Sequence, residues 1–425
     1  RMAPKYNKLK TDINASLEHS EIGKNIAGKI SKVKDSIKQL VVPSMLFENM
    51  GVKYIGPIDG HDISTMADVL CKAKEVEGPV IIHTITQKGK GYALAEESPI
   101  KYHGVGPFNL DSGEMIASQK NSYSKAFGTA LIKLSEENKK IVAITAAMPE
   151  GTGLSCYAKK FKNRIFDVGI AEEHAVTMAA GMASNGLKPI VAIYSTFLQR
   201  AYDQIIHDVC LQNLPVVFAI DRAGIVGEDG ETHQGIMDVS FLSTIPNMTI
   251  IQPKCLGEVH MLLKYALSLN KPVVIRYPRG GDLINTLEPL KDIKEGRWEL
   301  ISKGNKVCVI AGGRMLQHAK KASDMLYEKG VNVDLINATF IKPIDEEMLD
   351  RIAQKEYNIL IIEDNMLQGG LGSAITDYLS KTNFNKKVKC LGYEDFVHQG
   401  NLDILYKMHK LDFENISKEI LALYD

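Results

Sequence analysis

Two adjacent acids stand where a predicted strand gives way to a helix. The strand is predicted at residues 164–168, and Glu172 and Glu173 open the helix that follows. Acids at a helix start complement the helix dipole, and spacing alone favours this structural interpretation. In open α/β sheets, however, ligands bind beyond the carboxyl ends of the strands, which is where Glu172 is expected. A carboxyl group at that edge could exchange a proton with a bound ligand.

A second candidate site is a long loop rich in glycine and acids at residues 222–235. It places Asp229 and His233 close together in the sequence, directly after a predicted strand. A carboxylate and an imidazole at the carboxyl edge of a sheet make a plausible proton-transfer pair. The alternative is an ordinary structural loop, in which the glycines only mark turns.

Arginines occur near both stretches. Arg200 falls in the first turn of a predicted helix, where the dipole disfavours a cation, so a nearby anion would explain it. Arg276 and Arg279 belong to the string Arg-Tyr-Pro-Arg-Gly at the end of another predicted strand. The planar guanidinium of Arg279 could bind a phosphate through two hydrogen bonds, while Arg276 could equally form a structural ion pair.

Alternating strands and helices must position these side chains. Strands are predicted at residues 141–146, 164–168, 189–194, 216–221, 248–252 and 273–277. Helices are predicted between them, for example at 172–184 and 199–212. Hydrophobic strands that alternate with helices are typical of a mostly parallel sheet covered on both faces.

Two further α/β segments flank this central one. Before it, an amphipathic helix to about residue 39 precedes a strand from 54, a helix at 65–76 capped by Asp62 or Ser64, and a strand at 79–86. Residues 93–121 are predicted to be a linker that contains a working loop. After residue 305, strands and helices alternate again. The predicted domains are therefore 1–120, 121–296 and 297–425.

These motifs resemble the 1-deoxy-D-xylulose-5-phosphate synthase family of transketolase-type enzymes, which use thiamine diphosphate. The strings Tyr-Ser-Thr-Phe-Leu-Gln-Arg-Ala-Tyr-Asp-Gln and Asp-Arg-Ala-Gly-Ile-Val-Gly carry the resemblance most specifically. The resemblance implies an α/β protein with three parallel-sheet domains of transketolase type, the first incomplete, that forms a homodimer. It implies that pyruvate is decarboxylated and its two-carbon unit is transferred to D-glyceraldehyde 3-phosphate.

The resemblance also assigns residues to the cofactor. Glu172 is expected to contact the ring nitrogen of the aminopyrimidine of thiamine diphosphate. Glu173 could take this role only if the register were shifted. Phe197 is expected to stack on the aminopyrimidine. Tyr92, which follows a Lys-Gly-Lys-Gly run that could otherwise be a nonspecific basic turn, is expected to lie against the cofactor.

The remaining assignments concern the substrates. His103 is expected near the reacting carbonyl, and Asp229 and His233 are expected to face the substrate. The acceptor phosphate is expected to be held by Tyr194, Arg200, Arg222 and Arg279.

The metal motif of the family is not found in the sequence. That motif is Gly-Asp-Gly followed by an asparagine, and it supplies oxygen ligands for Mg²⁺ and the diphosphate. Asp59-Gly60 lacks the preceding glycine, and the glycines near Asp229 belong to the substrate loop. The Mg²⁺ ligands are therefore expected in a missing N-terminal segment, and the chain is expected to be a fragment. The alternatives are the beta-type half of a split transketolase or 2-oxo acid dehydrogenase, and a non-catalytic scaffold subunit.

Composition excludes several other classes. Lys+Arg and Asp+Glu both total 51. The chain therefore lacks the net positive charge that would indicate binding to nucleic acid. The six cysteines form no Cys-x-x-Cys pair, and their scatter fits a reducing cytoplasm. No apolar run approaches the roughly 18 residues of a membrane span. A cytoplasmic enzyme that does not bind membranes is expected.

Overall fold

The computed structural model describes residues 45–99, 101–116 and 121–425, which fall into two compact units divided near residue 118. The amphipathic helix predicted up to residue 39 lies outside the described residues. Within the described part of the chain, no helix combines the length and the apolar character needed to cross a bilayer.

The first unit is built on a pair of parallel strands. Its elements are Met45–Asn49 (α1), Lys53–Asp59 (β1), Ile63–Ala73 (α2), Val80–Ile85 (β2) and Ala93–Glu97 (α3). β1 pairs with β2, and α2 connects them. Asp62, one of the two predicted cap residues, caps α2 by accepting a hydrogen bond from the backbone N–H of Thr65 at 3.1 Å, and the other, Ser64, lies inside the helix. The predicted linker contains α3, so it is more regular than the sequence suggested.

A seven-stranded sheet forms the centre of the second unit. Six strands match the predicted ones: Ile141–Thr145 (β3), Ile165–Asp167 (β4), Lys188–Tyr194 (β5), Val217–Asp221 (β6), Thr249–Ile251 (β7) and Val273–Arg276 (β8). The seventh, Phe340–Lys342 (β12), pairs antiparallel with β7 at the edge. The order is β12-β7-β8-β6-β5-β3-β4, and every other pairing is parallel.

Helices cover this sheet. They are Tyr123–Glu137 (α4), Ser155–Lys160 (α5), Glu172–Ser184 (α6), Ser195–Leu198 (α7), Tyr202–Gln204 (α8), Asp238–Ser243 (α9) and Val259–Ser268 (α10). α6 has the predicted bounds. The single helix predicted at 199–212 is wrong, because the helical path begins at Ser195 and continues through a 3₁₀ turn and a π-helical turn, Ile205–Cys210.

A five-stranded sheet completes the second unit. Its strands are Glu299–Ser302 (β9), Val307–Ala311 (β10), Asp334–Asn337 (β11), Asn358–Met366 (β13) and Val388–Tyr393 (β14), in the order β14-β13-β10-β11-β9. β9 is antiparallel to β11, and the other pairs are parallel. The helices are Gly313–Tyr327 (α11), Glu346–Lys355 (α12), Leu371–Ser380 (α13), Leu402–Met408 (α14) and Phe413–Tyr424 (α15).

The two sheets of the second unit share a hydrophobic core. One cluster of buried side chains contains Phe218 and Ile275 from the seven-stranded sheet together with Ile310 and Ile361 from the five-stranded sheet. Burial of this apolar area stabilises both sheets at once. Residue 296, the predicted end of the middle domain, falls in the sequence between β8 of the first sheet and β9 of the second.

Candidate active site

Glu172 is the first residue of α6 and lies just beyond the carboxyl end of β4. Its side chain is 2% exposed, whereas the neighbouring Glu173 is exposed. Buried Ala175 and Ala179 lie one and two turns further along the same helix, and such small residues allow close packing. The position on the helix therefore gives the two adjacent glutamates different environments. Glu172 has the buried environment that suits proton sharing.

The carboxylate of Glu172 has a cationic partner. Nη1 of Arg200 donates a hydrogen bond to Oε1 of Glu172 at 2.9 Å. The Arg200 side chain is 47% exposed, so the pair joins a buried anion to a guanidinium that reaches solvent. The nearby anion expected from the position of Arg200 is thus Glu172 itself.

Phe197 lies at the centre of a group of rings beside this pair. It is carried by α7, which follows β5 without a loop. Its ring stacks on Tyr194, with centroids 5.9 Å apart and planes 19° apart, and it meets the edge of His233 at 5.3 Å. The Arg200 guanidinium lies 5.1 Å from the Phe197 centroid. Rings from two loops at the carboxyl edge of the sheet thus form one surface on which a planar ligand could stack.

Asp229 lies between two arginines. Its carboxylate is 3.0 Å from Nη1 of Arg279 and 3.7 Å from Nε of Arg222. The Arg222 guanidinium lies 3.8 Å from the centroid of the Tyr194 ring, and it donates to the carbonyl of Gly151 at 2.8 Å. Arg222 also adopts φ +61°, a costly backbone conformation for a residue that is not glycine, so these contacts must hold it in place.

A buried acid supports Arg222. Asp221 ends β6 and accepts a hydrogen bond from Nη1 of Arg222 at 3.0 Å. Burial raises the pKa of the Asp221 carboxyl to about 6, and the neighbouring Arg222 charge opposes that rise.

Arg222 and Arg279 line a cavity of about 530 Å³. Ser124 and Glu150 also line it, and the C-terminal part of the chain contributes Asn401. Two guanidinium groups that converge on one cavity form a suitable site for an anion such as a phosphate. The structure thus brings Arg222 and Arg279 together, and it places Tyr194 against Arg222.

Arg200 is not part of that cavity. It lines a different one of about 290 Å³ with Phe197 and Glu231, to which the C-terminal part of the chain adds the exposed ring of Phe396. The structure therefore groups Arg200 with Glu172 and Phe197. A phosphate contact by Arg200 stays a prediction.

Tyr92 and His103 belong to the first unit. The Tyr92 ring meets Tyr102 edge to face at 5.6 Å and lies 5.8 Å from Phe108, and its hydroxyl donates to the carbonyl of Leu110 at 2.8 Å. His103 is exposed in the turn that follows Tyr102. An aromatic cluster therefore organises the predicted working loop, and the cofactor and substrate roles of Tyr92 and His103 stay predictions.

Local patterns in the sequence indicate few of the groups that support the site. Arg276 binds both carboxylate oxygens of Asp238, at 2.8 and 3.0 Å, which confirms the structural ion pair considered for it. The side chains of Asp364 and Gln399, by contrast, reach the substrate loop from the C-terminal part of the chain. These contacts join positions more than 130 residues apart, so no local motif could reveal them.

Comparison with known proteins separates the possible families. The model of the 1-deoxy-D-xylulose-5-phosphate synthase family matches residues 1–86, the transketolase pyrimidine-binding domain matches 119–281, and the transketolase C-terminal domain matches 296–416. The 1-deoxy-D-xylulose-5-phosphate synthase of Clostridium beijerinckii is 69% identical over 100% of this chain and 69% of its own length. The chain belongs to the 1-deoxy-D-xylulose-5-phosphate synthase family.

Other relatives agree with this result. The synthase of Clostridium acetobutylicum is 54% identical over 99% of the chain and 68% of its own length. Among solved structures, a split-gene transketolase described as an inactive beta4 tetramer matches 72% of this chain and 99% of its own, with a TM-score of 0.65 and 29% identity. Transketolase from Campylobacter jejuni matches 89% of this chain, with a TM-score of 0.59 and 17% identity, and so supports the fold alone.

The family relationship identifies the chain as a transferase of transketolase type and implies thiamine diphosphate with Mg²⁺. The geometry fits one part of that cofactor. A buried carboxylate, an aromatic surface and the buried hydroxyl of Ser195, which has no hydrogen-bond partner among the described residues, suit a planar heterocycle that carries nitrogen donors and acceptors.

The metal-binding part of the cofactor has no such counterpart in the described ranges. Residues 45–99, 101–116 and 121–425 contain no group of three or more His, Cys, Asp or Glu side chains able to hold a metal ion. The chain spans 69% of the length of the Clostridium beijerinckii synthase.

Proposed function

We propose that the complete protein, meaning this chain with any further segment its gene encodes, condenses pyruvate with D-glyceraldehyde 3-phosphate. The products are 1-deoxy-D-xylulose 5-phosphate and CO2. The observation that carries the proposal is that acidic and basic groups occupy separate places. The buried carboxylate of Glu172 lies beside an aromatic surface, while Arg222 and Arg279 line a different cavity. This division suits a heterocyclic cofactor and a phosphorylated acceptor.

Each group has a role in this proposal. When bound, thiamine diphosphate supplies the carbon nucleophile that attacks a 2-oxo acid. Glu172, whose carboxylate accepts a hydrogen bond from Arg200, would share a proton with the aminopyrimidine ring nitrogen of the bound cofactor. Phe197 orients the ring by stacking. His233, whose ring forms a T-shaped pair with Phe197, and Asp229 would move protons at the substrate oxygens.

The acceptor is oriented by its phosphate. Arg279 and Arg222 offer charge-assisted hydrogen bonds that favour a dianion over a neutral aldehyde. Tyr194 keeps the Arg222 guanidinium in place through its ring face, 3.8 Å away. Binding at the phosphate would orient the aldehyde and reduce the entropic cost of the bimolecular step.

Product analysis tests this function. The complete protein with thiamine diphosphate and Mg²⁺ should release CO2 from pyruvate and form a five-carbon deoxyketose phosphate, detected by mass spectrometry, when D-glyceraldehyde 3-phosphate is added. No such product under these conditions would contradict the proposal.

A second candidate function is that of one half of a two-chain transketolase. The match to almost the whole of a split-gene transketolase chain favours it. In that case, adding a separately encoded partner should produce transfer from a ketose phosphate, with no CO2 released from pyruvate. The 69% identity to a synthase favours the first function.

The oligomeric state and the cellular location of the complete protein are also part of the proposal. A homodimer is proposed from the family relationship, because the resemblance to transketolase-type enzymes implies a dimer. Sedimentation of the complete protein should give twice the chain mass. A cytoplasmic location fits the scattered free cysteines, and cell fractionation tests it.

A further inference from the structure

The loop that carries Asp229 and His233 is closed at its base by a pair of glycines. Gly224 and Gly235 exchange two backbone hydrogen bonds, at 2.7 and 2.8 Å. The loop between them contains both residues proposed to face the substrate. The direction in which these side chains point therefore depends on how the base at Gly224 is held.

Asp364, from strand β13 of the C-terminal sheet, lies directly against this base. One carboxylate oxygen accepts a hydrogen bond from the backbone N–H of Ile225 at 3.2 Å. A Cβ atom at Gly224 would lie 2.0 Å from the other oxygen, so only glycine allows the approach. The carboxylate thus fixes the first turn of the loop from a different sheet.

Two tyrosines fix Asp364 in turn. The hydroxyl of Tyr393 donates to Oδ1 at 2.7 Å, and the hydroxyl of Tyr406 donates to Oδ2 at 2.9 Å. Burial raises the pKa of the Asp364 carboxyl above its ordinary value, and these hydrogen bonds and Arg276 oppose the rise. A buried carboxylate with a partner on each oxygen has a single orientation, which suits a positioning role.

The outer part of the loop is also held from the C-terminal side. Gln399 donates to the carbonyl of Glu228 at 3.0 Å, and Gln234 donates to the carbonyl of His398 at 2.9 Å. Nδ1 of His398 lies 2.7 Å from a carboxylate oxygen of Glu231. Contacts at both the base and the outer part show that the C-terminal sheet and the loop after it form the platform for the substrate loop.

We infer that Asp364, held by Tyr393 and Tyr406, is a positioning residue for the substrate loop, and that the C-terminal part of the chain thereby sets the affinity for the phosphorylated acceptor. This inference rests on the proposed function. Asp364 does not line the cavity that Arg222 and Arg279 form. It acts through Ile225 and Gly224 on Asp229, and through Asp229 on Arg222 and Arg279.

Tyrosine-to-phenylalanine variants of the complete protein test the inference. Tyr406→Phe removes one hydrogen bond to Asp364 and keeps the ring, and Asp364→Asn removes the charge. The matched control is Tyr378→Phe, because that hydroxyl also donates to a carboxylate, Asp350, at 2.9 Å, but on the exposed surface of the same part of the chain. Each variant is compared by KM for D-glyceraldehyde 3-phosphate, by affinity for thiamine diphosphate and by amide hydrogen exchange.

A selective effect on the acceptor is expected. Tyr406→Phe should raise KM for the acceptor at least about fivefold, because a charge-assisted hydrogen bond is lost, while cofactor affinity stays within about twofold. Peptides that cover residues 223–235 should exchange faster than in the control. If Asp364→Asn does not fold, Tyr406→Phe alone decides the question.

Other outcomes would overturn the inference. Unchanged loop exchange, faster exchange with unchanged acceptor KM, or an equal loss of cofactor affinity would each do so. If the unsubstituted complete protein forms no product, the proposed function fails. Hydrogen exchange still decides whether Asp364 holds the loop in that case.

Discussion

Glu172 and Asp229, the two acids proposed to act in the site, are held by different forces. Glu172 is buried at the head of a helix, with small residues packed beneath it and one partly exposed arginine as its partner. Asp229 is 27% exposed on a loop and is held by ion pairs with two arginines. Burial and one ion pair fix the first acid, whereas ion pairs with two arginines fix the second, more exposed acid.

This difference indicates how each half of the site responds to a ligand. An acid fixed by packing keeps its place when a ligand arrives, which suits a permanent cofactor. An acid fixed by two guanidinium groups must share them with an incoming phosphate, which suits a substrate that comes and goes. Substitutions at the acids and at their arginine partners test this contrast.

The largest effect is expected at Glu172. Glu172→Gln keeps the size and burial of the side chain but removes the acid, so product formation should fall at least about 100-fold in the complete protein. The control is Glu173→Gln, an exposed neighbour, which should stay within about twofold. If Glu173→Gln gave the larger loss, the register of the acidic motif would be shifted by one residue.

Arg279→Ala should have the next largest effect, on KM for the acceptor. Loss of a charged donor to phosphate corresponds to an increase of about 10- to 100-fold, and KM for pyruvate should stay nearly constant. Arg351→Ala, which removes a surface arginine on α12, serves as the control. Equal changes in the two KM values would show that Arg279 does not select the phosphate.

A smaller effect is expected for Arg200. Whether its loss weakens cofactor binding or acceptor binding shows to which part of the site it belongs. Arg200→Met leaves the buried Glu172 without its cation, so thiamine diphosphate should bind about tenfold more weakly. KM for the acceptor should change by less than about twofold, as measured by titration and steady-state kinetics. A selective rise in acceptor KM would instead place Arg200 with Arg222 and Arg279.

The smallest effect concerns pH and Asp221. Its pKa is raised from 3.8 to about 6 in the folded protein, so between these values the folded state holds a proton that the unfolded state has lost. Stability should therefore fall as pH rises through this window, by up to about 1.4 kcal/mol per pH unit from this group. Asp221→Asn should flatten that part of the curve, measured by denaturant unfolding. An unchanged slope would show that Asp221 is ionised throughout the window.

Local patterns in the sequence predicted much of the fold. Alternation of buried strands and helices indicated β3 to β8 to within two residues at each end, and α6 with its bounds. These elements have strong hydrophobic periods and clear end signals. β12 was not predicted. It has only three residues and pairs with a strand that is distant in the sequence, so it leaves no local pattern.

The candidate site shows the same limit. The residues near Glu172, Phe197 and Asp229 lie in recognisable strings. The partner of Arg200 is set by how β4 and β5 lie in the sheet, so the sequence suggested an anion without showing which one it was. Asp364 carried no signal, because it meets the loop only after two sheets have packed together.

The pairing of β12 with β7 affects how the protein can be divided. A polypeptide that ends near residue 296 would lose Phe340–Lys342. The apolar strand Thr249–Ile251 would then become an edge strand with unpaired backbone amides and carbonyls. Such an uncovered border recruits strands from other molecules. Recombinant production of the middle segment alone would therefore yield protein that self-associates. A chain of residues 121–425 keeps β12 paired with β7 and so protects this edge.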